Sequence, residues 1–435
     1  MGKELHQLQR GTSLRCNAGT VRVIDFIAEG GQGEVYRVEL NDRQYALKYY
    51  FKELCNSSLK NNLQHIIDDP IESKSFAWPL YLVENGVQFG YVMELLPSGF
   101  HDIAEWVGGR FDTTLDVLVK ACLALCDAFH NLHAKGYSYK DISNSNVCFH
   151  PTTGEVLIVD NDNVTPNLES SGVLGTNGFM APELISGETK IPSRLTDLHS
   201  LAVLLFQMLF GEHPLNGKKE YNMSFQEMEE QDILKELYGP DTACFIFKDK
   251  YDLNRYIETS EPAHVNARDL WSLYPDFIQD LFTRAFVEGI RNPHARPLSN
   301  EWTDAFVKLF GLLYKCPRCG ATDLYNRDVF YQSSGAPTCK KCGYKQLVPR
   351  IKINDNIVLL ADQSVIYACS FGISSESKFV PILGVEVIRG RIRFKNLTNH
   401  RVECHNIPAW RGEFTDYITS SDSVKVDGKE YRVAL

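Results

Sequence analysis

Two Cys-x-x-Cys pairs, Cys316-Pro317-Arg318-Cys319 and Cys339-Lys340-Lys341-Cys342, stand 19 residues apart, and each is followed by a glycine, Gly320 and Gly343. Each pair fits a turn whose glycine tolerates positive φ, so two thiolates from either side converge on one tetrahedral ion. Four protein ligands close such a site to water, and the expected ion is a structural Zn²⁺, with a redox dithiol as the competing reading. The other eight cysteines (Cys16, Cys55, Cys122, Cys126, Cys148, Cys244, Cys369 and Cys404) are scattered among apolar neighbours. That distribution reads as reduced, buried thiols rather than a disulfide framework, and so as a reducing compartment.

The chain has 435 residues, 44% hydrophobic and 23% charged, which suits two or three globular domains of roughly 150 residues each and excludes a largely disordered chain. Its net charge of −10 conceals a division. Residues 311–435 carry 18 Lys+Arg and 12 Asp+Glu, a net +6, while the first 310 carry 27 and 43, a net −16. The acidic total argues against a nucleic-acid coat, and the opposed halves permit intramolecular docking. Met1-Gly2-Lys3-Glu4-Leu5-His6 lacks the apolar run of a signal peptide, and His6 stands where an acylation signal wants Ser or Thr. The longest apolar stretch, Leu201 to Phe210, is too short to span a bilayer and reads as a buried helix. The expectation is a cytoplasmic protein with no membrane contact.

Chemistry concentrates before residue 310. Residues 21–27, 34–40 and 43–49 read as strands, and Ala28-Glu29-Gly30-Gly31-Gln32-Gly33 joins the first two. A glycine-rich hairpin lets backbone N–H groups approach phosphates closely, though alone it is weak evidence. Ala46-Leu47-Lys48 then puts a lysine on the neighbouring strand. A helical stretch over 114–134 leads into Tyr139-Lys140-Asp141-Ile142-Ser143-Asn144-Ser145-Asn146. The apolar strand Val156-Leu157-Ile158-Val159 runs into Asp160-Asn161-Asp162. Gly175-Thr176, Phe179-Met180-Ala181-Pro182-Glu183, Asp197 and Asn292-Pro293-His294-Ala295-Arg296-Pro297 follow.

In this order and at these spacings the chain resembles a eukaryotic-type protein kinase over about residues 20 to 310. The variant loops, with Phe76-Ala77-Trp78-Pro79-Leu80, resemble a divergent bacterial Ser/Thr branch that includes members associated with tellurite-resistance and stress systems. The resemblance implies an α+β, bilobal kinase fold over 15–310, with an N-lobe over about 15–96 and a C-lobe over about 97–310. It implies ATP and Mg²⁺ (or Mn²⁺) as cofactors and Ser/Thr hydroxyls of protein substrates as acceptors. By the same resemblance Lys48 holds the α/β-phosphates, Asp141 orients the acceptor hydroxyl, and Asn146 and Asp160 hold Mg²⁺. The nucleotide is cradled by Ala28, Glu29, Gly30, Gly31, Gln32, Gly33, Val35 and Ala46. Met93 acts as gatekeeper, and backbone groups of Glu94 and Leu96 meet the base. Glu183, Arg296 and Asp197 are structural, while Thr165, Ser170, Ser171 and Thr176 are candidate phosphorylation sites with Lys140 as a phosphate partner.

The pattern also departs from the family. Ala28 replaces a glycine, Tyr139-Lys140 replaces His-Arg, Ser143 stands where a lysine is usual, and Asn161-Asp162 replaces Phe-Gly. The helix expected over about Ser57–Asp68 offers no carboxylate for Lys48. The alternative is therefore a nucleotide-binding pseudokinase that acts as an interaction scaffold. Beyond the kinase region a four-cysteine zinc ribbon is expected over 311–350 and a small all-β, sandwich-like domain over 351–435. Arg318, Lys340, Lys341 and Lys345 give the ribbon charge, but a protein-interaction or spacing module is the favoured role. In the β-domain Arg389, Arg391 and Arg393 alternate along a strand, either as a solvated face or as a site for an acidic or phosphorylated partner.

Overall fold

The computed structural model describes residues 6–221, 223, 228–247, 265–325, 338–345, 348–373, 378–389, 391–419 and 422–434. By Cα proximity the chain divides into two compact units. The first comprises Met1–Asp112, Ala124–His264 and Phe282–Ser299; the second comprises Thr113–Leu123, Val265–Leu281 and Asn300–Leu435. No helix among the described residues is long and apolar enough to cross a membrane.

The first unit begins with six antiparallel strands: β1 (Ser13–Cys16), β2 (Gly19–Gly30), β3 (Gly33–Leu40), β4 (Arg43–Tyr50), β5 (Tyr81–Asn85) and β6 (Gln88–Met93). They close into a barrel in the order β1-β2-β3-β4-β6-β5. Alternating Val21, Val23, Tyr36, Val38, Leu47 and Val92 fill its apolar core. The β2–β3 register runs to Gly30 opposite Gly33, so the glycine-rich segment is a tight hairpin with Gly31-Gln32 at its tip. Gly33 has a packing reason: a Cβ there would lie 2.2 Å from the Tyr49 carbonyl oxygen on β4. Gly30 and Gly31 face open space instead.

Helix α1 (Ser57–Asp68) starts where the Asn56 side chain accepts a hydrogen bond from Leu59 N–H, and it buries Leu63 and Ile66. After α2 (Ile103–Val107), helix α3 (Leu115–Ala134) leads toward the loop that carries Asp141. Five short strands frame that loop and its neighbours: β7 (His101–Asp102), β8 (Tyr137–Ser138), β9 (Val147–Phe149), β10 (Val156–Ile158) and β11 (Thr165–Pro166). Helices α4 (Pro182–Ile185) and α5 (Arg194–Phe210) follow. α5 contains the apolar stretch Leu201–Phe210, which is buried throughout, as its composition requires. A reciprocal Ser193–Thr196 capping box opens this helix, and Gly211 at φ 72° closes it. Arg296 ties these parts together. Its fully buried guanidinium donates to both Glu183 carboxylate oxygens at 2.8 and 2.7 Å and to the carbonyls of Gly289 and Leu195.

The second unit holds a small hairpin of β12 (Leu313–Lys315) and β13 (Thr322–Leu324), followed among the described residues by nine further strands. These are β14 (Arg350–Ile353), β15 (Asn356–Leu359), β16 (Val365–Tyr367), β17 (Pro381–Ile388), β18 (Arg391–Asn396), β19 (Val402–Cys404), β20 (Ile407–Ala409), β21 (Ser423–Val426) and β22 (Lys429–Ala434). A six-stranded sheet runs in the order β15-β14-β22-β21-β19-β20 beside a three-stranded sheet, β16-β17-β18. Ile351, Ile353 and Val433 from the larger sheet join Ile366, Leu383, Val385, Ile392 and Phe394 from the smaller in one apolar cluster. The β-rich character of this region matches its alternating sequence. The arginine stripe loses its first member, because Arg389 lies beyond β17 at φ 50°, while Arg391 and Arg393 stay on β18. Arg393 pairs with Glu386 and stacks 4.1 Å from the Phe414 ring. The eight isolated cysteines also divide: Cys122, Cys126, Cys148 and Cys404 are buried, whereas Cys16, Cys55, Cys244 and Cys369 are partly exposed.

His199 in α5 is 1% exposed and packs edge-on against Phe286. Burial, reinforced by the Arg296 and His213 charges, holds its pKa well below 6.5. The unfolded chain therefore takes up a proton below about pH 6.5 that the folded chain refuses, so stability falls as the pH drops. The expected slope from this residue is up to about 1.4 kcal/mol per pH unit. Urea midpoints measured from about pH 7.5 down to about pH 5 should decline in the wild type and decline less in His199→Leu.

Candidate functional site

The expected catalytic groups meet in the first unit. Asp197, 1% exposed at the start of α5, accepts hydrogen bonds from Tyr139 N–H at 2.7 Å and Lys140 N–H at 2.8 Å. His133, near the end of α3, lies 3.0 Å from the same carboxylate. This fixes the backbone just before Asp141, where Lys140 adopts φ 76°. Two side chains then aim the Asp141 carboxylate. Thr176 Oγ1 donates to Oδ1 at 2.7 Å, and Asn146 Nδ2 donates to Oδ2 at 3.1 Å and to the Asp141 carbonyl at 2.9 Å. The five-residue spacing of Asp141 and Asn146 closes this small ring, so the sequence signal corresponds to a direct contact.

Asp160 lies just beyond β10, with Val159 between, in the left-handed conformation at φ 53°. Its carboxylate is 3.4 Å from Lys48 Nζ. Partial burial raises the Asp160 pKa, and the Lys48 charge only partly offsets this. A carboxylate in that setting favours a cation beside it, and Asn146 supplies a second oxygen donor on the adjoining loop. Two hard oxygen donors of this kind fit a partly hydrated Mg²⁺. Val35 lies opposite Lys48 and Ala46 opposite Met93, on β3, β4 and β6. Met93 is buried; Glu94, 3.7 Å from Arg43, is exposed, and so is Leu96. Ala28 and Glu29 complete the β2 arm of the hairpin.

The residues around Lys48 include several that the sequence did not reveal. Lys48 is 5% exposed, and its partners come from elsewhere than α1. Asp162 takes the place of the helix carboxylate, with its two oxygens 3.2 and 3.0 Å from Nζ. Tyr50 donates its hydroxyl to the same carboxylate, and Gln32 at the hairpin tip accepts from Nζ at 3.0 Å. Burial disfavours the Lys48 charge, but Asp162 and then Asp160 outweigh it and raise its pKa. From α1 the Asn62 amide donates to the carbonyls of Asp162 and Val164 at 3.1 and 2.9 Å. Asn161 donates to the carbonyls of Ala77 and Ile158, so an amide anchors the position where the resemblance expects phenylalanine.

The four expected hydroxyl sites between Thr165 and Thr176 have different settings. Thr165 is buried and bonded to Lys140 and Glu169, and Thr176 is held by Asp141. Ser170 is exposed, and Ser171 is partly so. Lys140 is not free to await a phosphate: its ammonium donates to Thr165 Oγ1 and the Glu169 carbonyl, and burial pulls its pKa down to about 8. Ser143 is buried, 3.1 Å from Ser145 Oγ, and offers no charge in place of the missing lysine.

In the second unit the sulfurs of Cys316, Cys319, Cys339 and Cys342 all lie within 4.8 Å of one another. The Cys316–Cys342 and Cys319–Cys339 separations are 3.7 and 3.6 Å. Four sulfurs about 2.3 Å from a central ion stand about 3.8 Å apart, whereas a disulfide needs about 2.05 Å. The donors therefore fit one tetrahedral metal ion. Each pair sits in the same knuckle: Gly320 N–H donates to Cys316 O and Gly343 N–H to Cys339 O, with φ values of 72° and 70° at the glycines.

The family description "Protein kinase domain" matches residues 21–272. The chain is 27% identical over 226 residues to the serine/threonine-protein kinase AtPK1/AtPK6 of Arabidopsis thaliana, covering 46% of this chain and 45% of that protein. It is 26% identical over 267 residues to protein kinase C delta type of Rattus norvegicus, covering 53% and 37%. It is 25% identical over 223 residues to serine/threonine-protein kinase A of Synechocystis sp., covering 46% and 42%. The chain thus spans less than half the length of these relatives. The crystal structure of the Mycobacterium tuberculosis PknI kinase domain aligns with 69% of this chain and 98% of that one, at 17% identity and a TM-score of 0.44.

Metal analysis of the purified chain should return about one divalent ion per chain, because the closed knuckle pair holds a single tetrahedral site. Cys319→Ser should lower that content at least tenfold, and a strong chelator should lower the melting temperature of the wild type but not of the variant.

Proposed function

The chain belongs to the protein kinase domain family, and on that premise we propose that it is an ATP- and Mg²⁺-dependent protein kinase that phosphorylates Ser/Thr hydroxyls of protein substrates. The observation that carries this reading is the aimed Asp141 carboxylate, with Thr176 on one oxygen and Asn146 on the other. A carboxylate fixed at both oxygens accepts a proton from an acceptor hydroxyl without first paying for its own orientation. Thr176 in that role accords with serine/threonine acceptors, as do the relatives' names.

Bound Mg²⁺ would neutralise charge that develops on the phosphates; the remaining work falls to the protein. Lys48 would hold the α/β-phosphates, Asp160 and Asn146 would hold the metal, and the hairpin with Gly31-Gln32 at its tip would bring backbone N–H groups to the phosphate chain. Val35, Ala46 and Met93 line the base, with backbone groups of Glu94 and Leu96 meeting its edge. The kinase domain is taken as 15–310, the ribbon as 311–350 and the β-domain as 351–435. The four cysteines carry structural Zn²⁺, and the two C-terminal modules bind partner proteins rather than nucleic acid. A cytoplasmic location and membership of the divergent bacterial, stress-associated branch complete the reading. They rest on the Tyr139-Lys140-Asp141-Ile142-Ser143 and Asp160-Asn161-Asp162-Asn163-Val164 loops and on the scattered cysteines, none of them in a disulfide.

Incubation with Mg-ATP and a generic basic-protein substrate tests the reading. The wild type should transfer phosphate to Ser or Thr, as identified by mass spectrometry. Asp141→Ala and Asp160→Ala should each be slower by on the order of 10²–10⁴-fold. A wild type that binds Mg-ATP yet transfers nothing would instead identify a nucleotide-holding scaffold.

A further inference from the structure

Lys48 is buried among groups that do not contribute equally. Its two carboxylate neighbours differ sharply in access: the Asp160 side chain is 44% exposed and the Asp162 side chain 1%. Asp160, reached by one oxygen at 3.4 Å, faces the space where a metal and phosphates would enter. Asp162, reached by both oxygens, is shielded from water and also accepts the Tyr50 hydroxyl. The Lys48 ammonium further lies 5.7 Å from the centre of the Tyr50 ring. One carboxylate is placed to hold a ligand and the other to hold the lysine.

The segment bearing Asp162 is itself pinned. Asn161, Asp162 and Asn163 form one turn of 3₁₀ helix and are all buried, an unusual concentration of polar side chains. Two amides anchor this turn through backbone carbonyls, Asn161 onto Ala77 and Ile158, and Asn62 from α1 onto Asp162 and Val164. The inward side of α1 thus presents Leu63, Ile66 and an amide rather than a carboxylate. A buried ammonium left without a counter-ion is strongly disfavoured, so some carboxylate must accompany Lys48 wherever it points.

We propose that Asp162 is the positioning residue for Lys48, so that the turn after the metal-binding Asp160, and not helix α1, sets the direction of the catalytic lysine. Helix α1 acts on Lys48 only indirectly, by holding the turn through Asn62. A shift of α1 then disturbs catalysis to the extent that it loosens residues 161–164. This inference rests on the kinase reading above and adds to it the residue that replaces the absent helix carboxylate.

A four-protein cycle tests it: wild type, Asp162→Asn, Lys48→Met and the double variant, each assayed for phosphate transfer and melted. Asparagine is isosteric and keeps a partner for Tyr50, which favours a folded variant. Affinity for a fluorescent Mg-ATP analogue reports whether each protein retains its nucleotide site. If Asp162 acts through Lys48, Asp162→Asn lowers kcat about 100-fold with KM for ATP changed less than about threefold, and the double variant is no slower than Lys48→Met alone. Tyr50→Phe, a milder change, lowers kcat about three- to tenfold by loosening the same carboxylate. The proposal is overturned if folded Asp162→Asn keeps its kcat within about threefold, or if the two losses multiply in the double variant. Should the wild type transfer no phosphate, the kinase reading has failed on its own account. The melting temperatures then decide the pairing: a double variant melting no lower than the less stable single variant supports it, and additive losses reject it.

Discussion

The buried Asp197 carboxylate is the point on which the kinase-domain part of the molecule depends. It takes two backbone N–H groups, from Tyr139 and Lys140, and it sits beside His133. Carboxylates that accept N–H groups away from water form charge-assisted hydrogen bonds, stronger than neutral ones. These bonds fix a stretch of chain that includes Lys140 at positive φ, a strained conformation for a residue with a side chain. The direction of Asp141, immediately after, follows from that fixed backbone. The Glu183–Arg296 pair performs a comparable service for the segment after the loop, and it too is held by four hydrogen bonds. A partner removed from such a pair leaves a buried charge unpaired, at a cost of about 3–5 kcal/mol.

Around this framework two of the departures from the family pattern, at Asn161 and Asp162, come with new polar contacts. The carboxylate missing from α1 reappears at Asp162, where glycine is usual; Tyr50 closes over it, and burial together with the Asp162 charge keeps the tyrosine hydroxyl protonated and donating. Asn161 stands where an apolar residue is usual and exchanges apolar packing for two hydrogen bonds to main-chain carbonyls. Asp162 thus gives the buried Lys48 ammonium its counter-charge, and the Asn161 amide N–H groups find main-chain acceptors.

Much of this was legible in the sequence because it is encoded locally. The Asp141–Asn146 spacing, the apolar run ending at Asp160, and the cysteine pairs each place their groups through a few consecutive residues, and the structure brings each set together. Gly320 and Gly343 were readable for the same reason, since positive φ is a property of one residue. The Asp162–Lys48 pair was not readable. Its members are 114 positions apart, and nothing local distinguishes a buried Asp162 from an exposed loop aspartate. Arg389 shows the converse: a regular alternation of arginines implied a strand face, but the β17–β18 turn took the first of them out of register.

The sequence by itself therefore determined which chemical groups the protein brings together, the tight glycine-rich hairpin and the paired cysteines whose sulfurs converge. It did so because glycine conformation, strand alternation and short ligand spacings act over a few bonds. Only the tertiary structure decided which carboxylate accompanies Lys48, that Thr165 and Lys140 are engaged with each other, and that Ser170 rather than Thr165 is exposed. Those outcomes depend on burial. Whether a charge is accompanied or solvated is settled by the segments that fold over it, and those segments lie far away along the chain.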